Sequence, residues 1–201
     1  MCGIIGYSGP KEPLPILIGG LSRLEYRGYD SAGVAILDGE KLTIEKKEGK
    51  LQILKDHLEN SKINGNIGIG HTRWATHGVP NDVNAHPHSD NQKEFAIIHN
   101  GIIENYAEMK DDLLKEDFIF ESDTDTEVVA VELGNQWTGR LLETVTNVAK
   151  KLDGTYALVV TSTKEPGTIV AGRMMSPLVL GVGEGETFLA SDSAAILEHT
   201  N

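Results

Sequence analysis

Short apolar runs recur along the chain and predict a structure rich in β-strands. Runs of this length that contain β-branched residues and are bounded by Gly, Pro, Asn, Asp or Ser are typical of strands. They occupy residues 2–7, 32–37, 42–46, 67–71, 95–99, 156–162, 168–172, 178–182 and 187–190.

Segments between these runs have the spacing of helices. One apolar stripe at helical spacing consists of Leu14, Leu17, Ile18, Leu21 and Leu24. Residues 128–133 belong to a second predicted helix, and residues 106–115 and 141–152 predict two more. The segment 124–127, Thr-Asp-Thr-Glu, offers side-chain oxygens that accept from the first free N–H groups of the second helix.

The order of these elements predicts an α+β fold. The strands outnumber the helices and do not alternate with them regularly, so we expect mostly antiparallel sheets covered by helices rather than a doubly wound nucleotide fold. Residues 74–94, rich in His, Pro, Asn and Asp, predict a long irregular connection, and such connections are often functional. Residues 181–185, Gly-Val-Gly-Glu-Gly, predict a hairpin turn rather than a phosphate loop, because acidic residues flank them and a strand follows.

Composition and charge narrow the class of protein. A chain of 201 residues with 39% hydrophobic and 24% charged residues suits one soluble globular domain, or two small ones. A net charge of −12 and the lack of a basic run argue against nucleic acid and anionic membranes as partners. We expect no leader peptide, and no apolar window approaches the ~18 residues of a crossing helix. The single cysteine allows no internal disulfide and agrees with a cytoplasmic location.

Cys2 is the first candidate for chemistry. A lone cysteine in an apolar strand is most often a small buried hydrophobe. Removal of Met1 would instead leave Cys2 with a free α-amine, whose pKa of about 7.7–8.0 lets it take the thiol proton near neutral pH. One residue would then supply both the nucleophile and the base, as in enzymes that pair a threonine hydroxyl with the N-terminal amine. While Met1 is attached, the Cys2 nitrogen is an amide, and we expect that form to be inactive.

Two further segments suit the recognition of an amide substrate. Asn100 and Gly101 offer two N–H donors to an oxyanion, although Asn-Gly alone is also the strongest signal for a hairpin turn. In residues 71–78, Arg73 and Thr76 suit a carboxylate, the alternative being a surface salt bridge beside a packed Trp74. Asp125 either holds an ammonium or caps a helix.

A cluster of histidines raises the alternative of a metal site. The histidines between positions 71 and 99 are His71, His77, His86, His88 and His99. They lack the His-Glu-x-x-His pattern, and Pro87 separates His86 from His88. We therefore predict no metal and no cofactor.

Taken together, several motifs resemble one family. They are Cys-Gly-Ile-Ile-Gly at 2–6, Leu-Glu-Tyr-Arg-Gly-Tyr-Asp-Ser-Ala-Gly at 24–33, and the segments 71–78, 84–88, 99–105 and 122–127. They are similar to the glutaminase domain of glutamine–fructose-6-phosphate aminotransferases, a branch of the class II glutamine amidotransferases. The resemblance covers nearly all of residues 1–201 and implies the four-layer αββα sandwich of N-terminal-nucleophile hydrolases.

The resemblance also implies roles for single residues. Cys2 would be the nucleophile, and Asn100 with Gly101 the oxyanion hole. The pocket for the α-carboxylate of glutamine would consist of Arg73, Thr76 and His77, and Asp125 would pair with the α-ammonium. Residues matching positions around the site are Trp74, as an ammonia gate, Arg27, beside the nucleophile, and His86, whose role is structural.

The same resemblance implies partners beyond glutamine. In the family, further C-terminal domains use the ammonia to convert fructose 6-phosphate into glucosamine 6-phosphate, and the full-length enzyme is expected to be a homo-oligomer. This chain has no such domains, so we expect a fragment that releases ammonia. The alternatives are the corresponding domain of an amidophosphoribosyltransferase or an asparagine synthetase, and a catalytically silent module that binds glutamine.

Overall fold

The predicted strands form two antiparallel sheets, as seen in a computed structural model that describes residues 2–74 and 78–200. The larger sheet has the strand order β3-β2-β4-β1-β10-β9, and the smaller has the order β5-β6-β7-β8. The strands are β1 Gly3–Ser8, β2 Ser31–Asp38, β3 Lys41–Glu48, β4 Ile67–Arg73, β5 His88–Ser89, β6 Phe95–Ile103, β7 Gly154–Ser162, β8 Ile169–Met174, β9 Val179–Val182 and β10 Thr187–Ala190.

The sheets stack face to face because their inner strands are apolar on both sides. Ile4 of β1 packs with Ile98 of β6 and Val159 of β7 between the sheets. The neighbouring Ile5 points the other way, into a core shared with the helices. Alternate residues of a strand face opposite sides of its sheet, so continuous apolar runs are expected where both faces are buried.

Helices cover the outer face of each sheet and complete four layers. Their bounds are α1 Pro13–Leu24, α2 Leu51–Leu58, α3 Tyr106–Lys115, α4 Asp125–Asn135 and α5 Leu141–Ala149. The apolar residues of α1 and α2 pack on the larger sheet, and those of α4 and α5 pack on the smaller one. None of the helices within the described ranges is long and apolar enough to cross a membrane.

The structure confirms the α+β prediction and most of its elements. The hairpin predicted at 181–185 joins β9 to β10, and in its turn, which begins after Val182, the Gly183 N–H donates to the Glu186 carbonyl at 2.9 Å. Thr124 is the N-cap of α4 and accepts from the Glu127 N–H. Helix α2, which buries Leu51, Leu54 and Leu58 on one face, was not predicted from the sequence.

The connection at 74–94 is less irregular than predicted. It contains the two-residue strand β5, and the peptide bond between His86 and Pro87 is cis. A two-residue strand has no apolar alternation of its own, so its existence depends on pairing with Ile97 and Ala96 of β6. Helix α5 ends at Ala149, three residues before the predicted end at 152.

Candidate active site

Cys2 lies immediately before β1, next to the end of β4. The pairing of Gly3 with Thr72 brings Cys2 beside the residues that follow β4. The Trp74 N–H donates to Sγ of Cys2 at 3.1 Å, and the thiol lies 3.5 Å from the Trp74 carbonyl oxygen. Burial raises the pKa of the Cys2 thiol, and the Trp74 N–H offsets part of that rise. The resting group is therefore the neutral thiol, which needs a base to become a nucleophile.

Asn100 and Gly101 lie inside strand β6, so the hairpin-turn alternative for this pair is wrong. They pair with Ala157 and Tyr156 of β7. Gly101 has a φ of 125°, and a Cβ placed on it would collide with the Thr155 carbonyl oxygen. Glycine is needed here because two strands approach each other closely. In a sequence, a glycine required for this reason looks the same as a glycine required by a turn.

The Asn100 side chain contacts the main chain of Cys2 directly. Its Nδ2 donates to the Cys2 carbonyl oxygen at 3.1 Å, and its Oδ1 lies 2.9 Å from Nε2 of His71. Nδ2 carries a second N–H, for which no acceptor is found among the described residues. Asn100 is thus held beside Cys2, and its second N–H can donate to a substrate.

Arg73 is a buried cation at the end of β4. Its Nη2 donates to the Gly78 carbonyl at 3.0 Å, and its Nη1 lies 3.8 Å from Oδ1 of Asp30. The Asp30 N–H also donates to the Arg73 carbonyl at 2.7 Å. Asp30, which lies in the 24–33 motif, was not predicted as a site residue from the sequence. Trp74, the next residue, is 55% exposed.

Asp125 lies at the first position of α4 and is held from the end of β6. Its Oδ2 accepts from the Ile103 N–H at 2.9 Å, and its Oδ1 lies 3.9 Å from Nδ1 of His99. Because Thr124 is the N-cap, the alternative that Asp125 caps the helix is wrong. Asp125 is instead a buried carboxylate at a helix N-terminus, where the helix dipole favours negative charge.

Most of these groups line one small pocket, and Asn100 and Asp30 lie outside its lining. Its described lining consists of Cys2, Arg73, Trp74, His86, His99, Gly101, Thr124 and Asp125. Two predicted site residues, Thr76 and His77, lie outside the described residues. Arg27 does not line this pocket, and its Nη1 donates to Oγ of Ser191 at 2.9 Å, which in turn accepts from the Ile4 N–H at 3.0 Å.

Four of the five histidines form a cluster, in which His86 lies against His71, His88 and His99, and two of the four belong to the pocket wall. Burial lowers the pKa of His71 to about 3 and holds the pKa values of His86 and His88 well below their usual range. His86 contacts both His71 and Thr126 through its ring nitrogens. Among the described residues, no group of three or more His, Cys, Asp or Glu side chains is arranged to hold a metal ion.

A larger cavity, of about 630 Å³, lies between the edges of the two sheets. It contains Lys46, whose Nζ donates to the carbonyls of Val83 and Ala85 at 2.9 Å and whose pKa is lowered to about 8 by burial. None of the predicted catalytic residues lines it. Size therefore does not identify the chemical site here, whereas convergence of polar groups does.

Residues 55–201 match a family described as the glutamine amidotransferase domain. The chain belongs to the glutamine amidotransferase domain family. The matched region contains the proposed site residues other than Cys2 and Arg27, which lie before it.

Relatives of this glutamine amidotransferase domain are much longer than the chain. It is 54% identical over 200 residues to a glutamine–fructose-6-phosphate aminotransferase (isomerizing) from Aquifex aeolicus and 52% identical to one from Clostridium acetobutylicum. The chain spans about a third of each relative, 34% and 33% of their lengths.

Solved structures of other amidotransferases have the same fold. A glutamine phosphoribosylpyrophosphate amidotransferase from B. subtilis superposes with a TM-score of 0.84, at 31% identity, over 97% of this chain and 43% of its own. A second solved structure, that of the allosteric regulatory enzyme of purine biosynthesis, superposes with a TM-score of 0.84 at 29% identity. The four-layer class II amidotransferase fold is therefore confirmed.

Proposed function

We propose that this domain hydrolyses the side-chain amide of L-glutamine, with Cys2 as the nucleophile once Met1 has been removed. The observation that supports this is the single pocket lined by Cys2, Gly101, Arg73 and Asp125, which are far apart in the sequence. A nucleophile, an oxyanion donor, a cation and an anion in one pocket suit attack on the amide of an amino acid.

The α-amine of Cys2 acts as the base in this proposal. It takes the thiol proton, and the sulfur adds to the amide carbon, so that a C–S bond forms and the carbonyl oxygen becomes an oxyanion. The protonated amine returns the proton to the nitrogen, the C–N bond breaks and ammonia leaves. Water then adds to the thioester, glutamate is released and the thiol is restored. Because burial raises the pKa of the Cys2 thiol, the adjacent base is needed.

Asn100 and Gly101 stabilise the oxyanion. The second N–H on Asn100 Nδ2 and the Gly101 main-chain N–H are donors fixed by β6 before substrate binds. Such preorganised donors stabilise the transition state without reorganisation.

Charged groups select the amino acid. Arg73, with Thr76 and His77, binds the α-carboxylate, and Asp125 binds the α-ammonium. An uncharged amide such as propionamide brings no charge to either group and forgoes both charge pairs, which lowers its binding by several kcal/mol relative to glutamine. We therefore expect hydrolysis of L-glutamine and not of simple amides. We assign Trp74 to gating of ammonia, Arg27 to support of the chain start through Ser191, and His86 to support of the pocket wall.

We further propose the role of the domain in a longer protein. In a protein of the relatives' length, ammonia released here aminates fructose 6-phosphate and yields glucosamine 6-phosphate. The 54% identity to an aminotransferase of that name, against 31% to the phosphoribosylpyrophosphate enzyme, favours this acceptor. We place that protein in the cytoplasm as a homo-oligomer, and its charge of −12 over this domain disfavours nucleic acid or membrane partners.

The test is intact-mass measurement of the 201-residue chain after incubation with a glutamine-like chloroketone. Protein that has lost Met1 is expected to gain one adduct on Cys2 and to convert glutamine into equal amounts of glutamate and ammonia. Cys2→Ala provides the control and is expected to do neither. Full activity in protein that retains Met1 would contradict the proposed base, and activity in Cys2→Ala would contradict the nucleophile.

A further inference from the structure

A chain of hydrogen bonds runs from the Cys2 carbonyl into the histidine cluster. Asn100 bridges the Cys2 carbonyl and Nε2 of His71, and Nδ1 of His71 lies 3.1 Å from Nδ1 of His86. Nε2 of His86 lies 2.8 Å from Oγ1 of Thr126. The same oxygen lies 2.9 Å from Nδ1 of His99, a residue of the pocket wall.

Elementary chemistry fixes the direction of donation at the Cys2 end. A carbonyl oxygen only accepts, so Asn100 must present its NH₂ group to the Cys2 carbonyl. Its Oδ1 then faces His71 and also only accepts. Nε2 of His71 must therefore carry a proton and donate to Asn100.

The direction of donation at the Cys2 end then fixes which nitrogen donates in each neighbouring ring. A neutral imidazole has one N–H, so Nδ1 of His71 accepts and Nδ1 of His86 donates to it. Nε2 of His86 accepts the hydroxyl proton of Thr126, whose oxygen accepts in turn from Nδ1 of His99. The Thr126 hydroxyl has only one proton, so none remains for Oδ1 of Asp125, which lies farther away, at 3.3 Å. The depressed pKa values of His71 and His86 keep both rings neutral, as this order requires.

We propose that His71, His86 and Thr126 are positioning residues whose one-directional hydrogen bonds fix the orientation of the Asn100 carboxamide and connect it to His99 beside Asp125. This inference rests on the proposed function, in which Asn100 is an oxyanion donor. Without the His71 donor, the Asn100 amide is free to flip and to present Oδ1 where the oxyanion forms. All three side chains are buried, and Thr126 and His71 are fully so.

The first experiment compares two substitutions of His71 in the Met1-free chain. Gln places a side-chain N–H near the position of Nε2, whereas Leu has similar volume and no donor. We expect His71→Leu to lower kcat for glutamine by about 10²-fold, as loss of one oxyanion donor does, with KM within about 3-fold of wild type. His71→Gln should recover most of that loss. His57→Leu, at an exposed histidine of α2, is the matched control and should leave kcat unchanged.

A double-mutant cycle separates positioning from general damage. If His71 acts through Asn100, then His71→Leu added to Asn100→Ala should lower kcat by less than about 3-fold, because the group it orients is already gone. Losses that multiply would overturn the inference. Equal kcat in wild type and His71→Leu would also overturn it, whereas a Met1-free wild-type chain that hydrolyses no glutamine would overturn the proposed function.

Nitrogen-15 NMR of the histidine rings tests the chain without any variant. The expected protonated nitrogens are Nε2 of His71, Nδ1 of His86 and Nδ1 of His99. A His86 ring protonated on Nε2 would overturn the proposed direction. If His71→Leu does not fold, Thr126→Val and Thr126→Ser replace it, and only the valine, which lacks the hydroxyl, should lower kcat.

Discussion

At the scale of single residues, the site is built from groups whose properties come from burial. Cys2 is held by the Trp74 main chain and has a raised thiol pKa. Asp125 is 4% exposed and accepts from the Ile103 N–H. Desolvation strengthens a charge pair formed in such a place, so Asp125 is suited to select a substrate ammonium.

Asp125→Asn tests this selection. The amide keeps an oxygen that accepts from the Ile103 N–H but loses the charge, and a buried charge pair contributes about 2–5 kcal/mol. We expect KM for glutamine to rise by roughly 30-fold or more, with a smaller change in kcat, as measured by steady-state glutamate release.

Asp123→Asn is the matched control, because Asp123 is exposed and does not line the pocket. It removes the same charge two positions away and should leave KM unchanged. Equal rises in KM for both variants would mean that net charge, rather than Asp125 itself, controls binding.

At the scale of elements, the site depends on strand β6 passing very close to β7. The strand continues through Asn100 and Gly101 because the pairing with β7 extends to Ile103. A side chain at Gly101 would collide with the Thr155 carbonyl, and its φ of 125° is unfavourable for any other residue. The glycine that was considered a turn signal is thus required by a strand pairing.

Gly101→Ala is therefore expected to be strongly destabilising. Overpacking and backbone strain each cost about 1–3 kcal/mol, so we expect the free energy of unfolding to fall by about 3 kcal/mol or more in urea titration.

Gly172→Ala in the neighbouring strand β8 is the control, since a Cβ there meets nothing within 4 Å and its φ is not positive. It should change the free energy of unfolding by no more than about 0.5 kcal/mol. Similar losses in the two variants would show that the close approach at Gly101 is not the cause.

At the scale of the whole molecule, the buried neutral histidines link folding to pH. The pKa of His71 is about 3 in the folded chain and 6.5 as the reference value, with burial as the largest cause. The pKa values of His86 and His88 are depressed in the same direction. Between pH 6.5 and about 3, the unfolded chain binds protons that the folded chain does not. The contribution of these neutral rings to the free energy of unfolding is therefore complete above pH 6.5 and is lost as the pH falls toward 3.

We expect the free energy of unfolding to fall steeply as pH drops from 6.5 toward 4.5. Each neutral buried histidine contributes a slope that approaches about 1.4 kcal/mol per pH unit below its unfolded pKa. Urea titrations across this range should show the fall, and His88→Asn should make it shallower. His57→Gln, which removes an exposed ring, should leave the slope unchanged, and a flat profile in wild type would contradict buried neutral rings.

Most of the fold was predictable because its signals are local. The apolar runs, the stripe from Leu14 to Leu24 and the cap before α4 are set by neighbours in the sequence, and each gave the correct element. The motifs gave the family, which the comparisons confirmed. Helix α2 was missed although Leu51, Leu54 and Leu58 have helical spacing, since eight residues give a weak pattern.

The grouping of the site was decided by tertiary structure. Asn100 meets the Cys2 carbonyl across 98 positions, and His86 meets Thr126 across 40. The sequence by itself predicted which residues are candidates for the chemistry and determined which segments form strands and helices, because these depend on residue type and local spacing. The stacking of the two sheets and the register of β1, β4 and β6 decided that the residues converge and that Asn-Gly continues a strand. They also decided that His71, His86 and His88 stay neutral, because long-range packing determines burial and hydrogen-bond partners.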